Sequence, residues 1–193
     1  MYNKTGLGTP AIVLISIGIL ALLAFMWVSG TYNSLVSLDE NLNQRFGNIQ
    51  SAYQRRADLI PNLVATVKTS AAFEKELQTQ IAGLRSGIVN AQAPAEMEVV
   101  SQRINSALTF AFEAYPNIKT TDQFQQLGAQ LEGTENRIKV ERDNYNGAVK
   151  DYNVQVRRFP GNIIAGMFGF GLKESFSATE GAEKAPDVNK LFE

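Results

Sequence analysis

Residues 35–60 read LVSLDENLNQRFGNIQSAYQRRADLI, and the spacing of their apolar side chains decides the fold. Leu35, Leu38, Leu42, Phe46, Ile49, Tyr53, Ala57 and Ile60 recur in steps of three and four, and the pattern runs on through Val64, Val67 and Ala71. That period lines one face of an α-helix, whereas a half-buried strand alternates every second residue. No Gly-punctuated alternating run of strand length occurs elsewhere in the sequence, so a sheet is not expected. Pro61 falls inside the stripe, removes a backbone donor and crowds the preceding turn. A kink near Asp58 or Ile60, or else the end of the helix, is therefore expected.

Working toward the N-terminus, Pro10 to Val28 spell PAIVLISIGILALLAFMWV without a charge. At the helical rise this run reaches roughly 28 Å, close to the hydrocarbon thickness of a bilayer. It reads as a transmembrane anchor over residues 10–29, since the apolar run exceeds the length usual for a signal peptide. Trp27 and Tyr32 stand at one end, where amphipathic rings favour the interface. Lys4 and the α-amine lie on one side and only the more distant Arg45 on the other, which favours a cytoplasmic N-terminus and an extracytoplasmic remainder.

Working toward the C-terminus, Phe73, Leu77, Ile81, Leu84 and Ile88 mark a second helix, weakened by Gly83 and Gly87 and ending before AQAPAE. Pro94 suits the first turn of a third, with Met97, Val100, Ile104, Leu108, Ala111 and Tyr115 as its stripe. The loop YPNIKTTD leads to a cap at Thr121 or Asp122. A long fourth helix then carries Phe124, Leu127, Leu131, Thr134, Ile138, Tyr145, Val149, Tyr152, Val156 and Phe159 in a heptad-like seam up to Pro160. The fold class is thus all-α: an N-terminal transmembrane helix followed by a long antiparallel up-down bundle of about four helices. Residues 1–9 form a short tail, 30–176 the bundle, and 177–193 a polar C-terminal tail.

Composition removes many function classes. The chain of 193 residues has 18 basic and 19 acidic side chains, too balanced to hold nucleic acid by counterion release. Neither Cys nor His is present, which excludes disulfides, thiol nucleophiles, His relays and imidazole or thiolate metal sites. Glu132, Glu135, Glu141 and Asp143 are acidic neighbours, yet without His they read as solvated charges and interhelical ion pairs rather than a metal or acid/base site. No catalytic residue, cofactor or metal ligand is expected.

Helix lengths sharpen the geometry. A first soluble helix of about 40 residues and a fourth of about 37 are roughly twice as long as the middle pair. Antiparallel packing then sets Tyr145 near Ile49 and Glu135 beside Arg55 or Arg56. The membrane-proximal seams of the long pair lack cover from the short helices, so partner chains, the C-terminal segment or lipid must bury them. Arg55, Arg56, Asn62, Glu135, Asn136, Arg137, Tyr145, Asn146, Tyr152 and Asn153 are expected as interhelical polar and register residues. Phe159, Pro160, Ile163, Ile164, Met167, Phe168 and Phe170, from FPGNIIAGMFGF, either close the core or contact membrane or a partner.

These residues also carry a resemblance. RRADLIPNLVATVK at 55–68, Glu-Asn-Arg at 135–137, Tyr-Asn at 145 and again at 152, and Phe-Pro-Gly-Asn at 159–162 together resemble the LemA family of bacterial membrane-anchored helical proteins. Only the helix containing IAGLRSGIV departs, being less Ala-rich than is usual there. The resemblance implies a membrane segment followed by a long helical bundle, carries over no catalytic residue, and through a magnetosome-associated member suggests membrane organisation. The expectation is a non-enzymatic single-pass protein of the bacterial inner membrane, anchored in lipid and working as a self-associating or partner-binding scaffold. The alternative is an accessory or sensory subunit of a membrane protease or transporter that binds a client at its distal end.

Overall fold

The structure, a computed structural model, describes residues 9–65, 71–114 and 122–177. These form five helices and no strand: α1 (Thr9–Ala65), α2 (Ala71–Asn90), α3 (Pro94–Ala114), α4 (Asp122–Arg157) and α5 (Gly161–Phe168). The all-α expectation holds. The YPNIKTT loop, the Thr121 cap, Val67 and the tail past residue 177 lie outside the described residues. Pro61 does not end α1, which is a single helix of 57 residues containing both the apolar run and the stripe that follows it.

Two compact units divide the chain: Met1–Asn43 with Lys150–Lys173, and Gln44–Val149 with Glu174–Glu193. In the first unit, the apolar start of α1 offers its side chains outward, Leu14 and Phe25 at 69% and 72% exposure. Among the described residues α1 is the one helix long and apolar enough to cross a membrane, and none of its most apolar 18-residue window is buried. Beyond that window the same helix changes surroundings. Leu35 and Leu42 are buried, as are Tyr152 and Val156 of α4 and Ile164 and Ala165 of α5.

The turn between α4 and α5 depends on Pro160 and Gly161. Proline cannot continue the helical ladder, and α4 ends at Arg157. A Cβ on Gly161 would stand 3.0 Å from the carbonyl oxygen of Gln155 and 3.7 Å from Thr31 Cγ2, so glycine is what lets α5 start this close to α1 and α4. At the other end Gly169 adopts φ 76°, and the Phe170 N–H donates to the Ala165 carbonyl at 2.9 Å, closing the helix with a Schellman-type turn. One expectation fails at this turn: Phe159 was placed on the α4 seam, but the helix stops before it and leaves the ring 76% exposed.

In the second unit, Ile49, Tyr53, Ala57 and Ile60 of α1 join Ile81, Leu84 and Ile88 of α2, Met97, Val100, Ile104 and Leu108 of α3, and Ile138, Tyr145 and Val149 of α4 in one core. Full burial of each large side chain stabilises by about 1.5–3 kcal/mol. Here α1 and α4 run antiparallel, since Phe46, Tyr53 and Arg56 meet Tyr145, Arg142 and Glu135 respectively. Gly87 earns its place in α2 by packing, because a Cβ there would sit 3.3 Å from Val100 Cγ2 of α3. The exit of α2 is held by Gln50, whose Nε2 donates to the carbonyls of Ile88 and Ala91 at 3.1 and 2.9 Å. The entry of α3 is held by Glu96, which accepts the Gln92 N–H at 2.8 Å.

Candidate functional site

The polar residues singled out by sequence separate into three arrangements. In the second unit Arg56 joins three helices: it ion-pairs with Glu135 of α4, and its Nη2 donates to Asn105 Oδ1 of α3 at 3.1 Å. Burial lowers the pKa of this guanidinium from its ordinary value, with Tyr53 acting in the opposite direction. Arg137 turns to Glu141 one helical turn away at 2.7 Å rather than across the bundle. Glu141 is nevertheless buried, so this pair neutralises a carboxylate at the packed face of α4. Among the described residues the exposed side chains of Arg55, Asn62 and Asn136 make no hydrogen bond or ion pair. They form no interhelical polar tie, although Arg55 lines the cleft between α1 and α4.

The second arrangement was not legible as such in the sequence. Asn153 Oδ1 accepts the Lys173 N–H and its Nδ2 donates to the Lys173 carbonyl, both at 2.9 Å. Asn146 repeats the contact on Phe176, accepting its N–H at 2.8 Å and donating to its carbonyl at 3.1 Å. Each asparagine amide thus pairs with a backbone as a neighbouring strand would, one pairing in each unit. The recurrence of Tyr-Asn at a heptad interval thus supplies one such amide to each unit. Rather than fixing helix register, the two asparagines hold the C-terminal segment.

Side chains reinforce both pairings. In the first unit Lys173 Nζ lies 2.8 Å from Asp39 Oδ1 and 5.7 Å from the centre of the buried Tyr152 ring. Burial, the larger cause, raises the Tyr152 pKa; Lys173 lowers it and Asp39 raises it. In the second unit the Phe176 ring is buried against Tyr145 and Phe46, at 5.5 and 6.5 Å between centroids, with the Arg142 guanidinium 4.9 Å above it. Arg142 is itself fixed, donating to Tyr53 Oη at 2.6 Å and to Glu98 Oε2 at 2.5 Å. Tyr145 meets Phe46 at 5.7 Å, one turn from the expected Ile49. Sequence reasoning missed Lys173 beside Asp39 and Asn153 in the first unit, and Phe176 with Phe46 and Arg142 in the second; the available signal was the Phe in the mostly polar KESFSATE.

The third arrangement is the surface of α5. Ile164 closes the first unit's core, and Phe168 and Phe170 meet Tyr32 at 4.8 and 5.8 Å between ring centroids. Ile163 and Met167 point away, 50% and 71% exposed, so the segment both closes the core and presents an apolar face.

Among the described residues of the second unit there are also open clefts. One of about 430 Å³ lies between α2 and α3, lined by Leu84, Arg103, Ala107 and Phe110 among others. One of about 420 Å³ lies between α1 and α4, lined by Arg55, Asp58, Gln130, Thr134 and Arg137 among others. Among the described residues no cluster of three or more Asp, Glu, His or Cys could hold a metal ion. What the polar groups do here is position helices and seat a chain segment.

A helix fit to cross a membrane, continued directly into a helical bundle, defines a class of membrane-associated helical protein. The chain belongs to the LemA family, whose model matches residues 45–189. It is similar to Protein LemA of Metamycoplasma hominis, 25% identical over 97% of this chain and 87% of that protein. It is also similar to Magnetosome protein MamQ 1 of Paramagnetospirillum magneticum, 23% identical over 95% of this chain and 79% of that protein, and to Magnetosome protein MamQ of Magnetospirillum gryphiswaldense, 23% identical over 86% and 72%. None of these names describes an enzyme.

Proposed function

We propose that this protein is a single-pass, non-enzymatic scaffold of the bacterial cytoplasmic membrane, anchored by residues 10–29 and presenting residues 30–176 as an interaction module on the extracytoplasmic side. The observation that carries the reading is α1, one helix whose most apolar 18-residue window buries no side chain and whose later part is buried through Leu35 and Leu42. An exposed apolar helix of that length needs a hydrocarbon environment. Similarity to magnetosome proteins supports a role at a membrane surface. So does polar chemistry of the simplest kind, arginine–carboxylate and asparagine–backbone ties that position helices and a chain segment without presenting a reactive group.

The test is the oligomeric mass of the full-length protein in lipid nanodiscs beside a version truncated at residue 159. A defined homo-oligomer that is lost on truncation supports a self-associating scaffold. A monomer in both forms moves the reading to an accessory subunit, to be pursued by crosslinking in cells. Release of the full-length protein from membranes by alkaline carbonate would overturn the anchor itself.

A further inference from the structure

We propose that α5 is an interfacial helix whose outward face lies in the surface of an anionic bilayer, beside the point where α1 leaves the membrane. The proposal rests on the anchored reading of α1 and adds a second, separate membrane contact within the same unit.

The helix GNIIAGMF has one polar side chain, Asn162. Successive helical residues are about 100° apart, so the buried Gly161, Ile164 and Ala165 define one face, and Ile163, Gly166 and Met167 lie opposite. That opposite face is apolar and open: Ile163 is 50% and Met167 71% exposed, and Phe159 and Leu172, flanking the helix, are 76% and 52% exposed. A surface helix of a soluble unit carries polar residues opposite its packed face; one that is apolar on both sides needs a second apolar medium.

Position identifies that medium. Gly161 approaches Thr31, with 3.7 Å between an added Cβ and Thr31 Cγ2, and Phe168 packs on Tyr32 at 4.8 Å. Thr31 and Tyr32 come three and four residues after Val28, the last residue of the uncharged run, which is about 5–6 Å along the axis. The headgroup region on each side of the hydrocarbon is of that order. The open face of α5 is therefore at the depth where amphipathic surfaces enter lipid.

Charge gives the preference for anionic lipid. Arg157 and Arg158, immediately before α5, are both exposed and make no ion pair among the described residues. Basic residues at this level attract acidic headgroups.

The chain has no cysteine, which permits single labels in the full-length protein. Ile163→Cys and Met167→Cys would carry an environment-sensitive fluorophore in proteoliposomes of phosphatidylcholine with phosphatidylglycerol; Leu20→Cys marks the span and Lys150→Cys the aqueous reference. Labels at 163 and 167 are expected to be quenched by nitroxide lipids and protected from iodide, with Lys150→Cys the reverse. Arg157→Gln with Arg158→Gln, or pure phosphatidylcholine vesicles, should lower the docked-to-free ratio by roughly tenfold or more. Iodide quenching at 163 and 167 equal to that at 150 overturns the proposal. So does shielding from both quenchers with a doubled mass, which would make a second copy the occupant, and an unchanged ratio in the arginine variant overturns the anionic preference. Aqueous behaviour at Leu20→Cys would instead fail the anchor, a result separable from failure at α5.

Discussion

Replacing Phe176 by Ala should release the end of the C-terminal segment while leaving the second unit's helices folded. The ring is 6% exposed, and full burial of a Phe side chain stabilises by about 1.5–3 kcal/mol. Its edge-to-face contact with Tyr145 and the Arg142 guanidinium 4.9 Å above it add to that, each in the range of about 0.5–1.5 kcal/mol. A total near 3 kcal/mol corresponds to roughly a hundredfold change in a local opening equilibrium. The assay is native-state hydrogen exchange at the amide of residue 176, which donates to Asn146 Oδ1 in the folded protein. That amide should exchange about a hundredfold faster in Phe176→Ala, with core amides around Ile49 and Ile104 keeping their protection. Unchanged exchange at 176 would refute the argument that ring burial holds the segment. Equal acceleration throughout the core would refute its local character.

Three further outcomes test the remaining contacts. Gly161→Ala should destabilise the first unit by about 1–3 kcal/mol in a chemical melt, because the new methyl meets the Gln155 carbonyl oxygen at 3.0 Å; an unchanged midpoint would show that the turn yields freely. Glu135→Ala should cost no more than about 1 kcal/mol, since that carboxylate is 59% exposed, and Arg56→Ala should cost more, because it also loses the Asn105 bond and a largely buried stem; equal losses in urea melts would contradict this ordering. Burial raises the folded pKa of Tyr152 above its ordinary value of 10.0, so its neutral form is favoured in the folded state. The resulting stability is fully present below pH 10 and is lost as pH rises through the folded pKa. Alkaline melts should therefore show a decline in the wild type that Tyr152→Phe lacks, and parallel declines would argue against it.

How much of this was written in the sequence differs by kind of contact. Helix periodicity is a local property, so the stripe from Leu35 to Ile60 and the stops before AQAPAE and at Pro160 could be read directly. Antiparallel helices convert length into register, so helix lengths alone place Glu135 near Arg55 or Arg56, and Arg56 is the one that meets it. Neither argument reaches a segment with no period of its own. Residues 170–177 are neither helix nor strand, and Lys173 and Phe176 bind through their backbone, and a backbone leaves no signature in side-chain spacing. The heptad of Tyr-Asn was visible, but a polar heptad in a helix reads first as register. Arg137 was misplaced for a different reason: a residue on a long helix can pair with its own next turn as readily as with a neighbour.

The continuity of α1 within the first unit has a mechanical consequence. No break, glycine pair or loop separates the apolar run ending at Val28 from the buried Leu35 and Leu42. The helix therefore behaves as a stiff shaft over that distance, and tilt or rotation of its exposed apolar part is transmitted to the face that α4 and α5 pack against. Hydrophobic mismatch changes the tilt of a single span at a cost of only fractions of a kcal/mol per Å. If the proposed anchor holds, local bilayer thickness becomes an input to this unit.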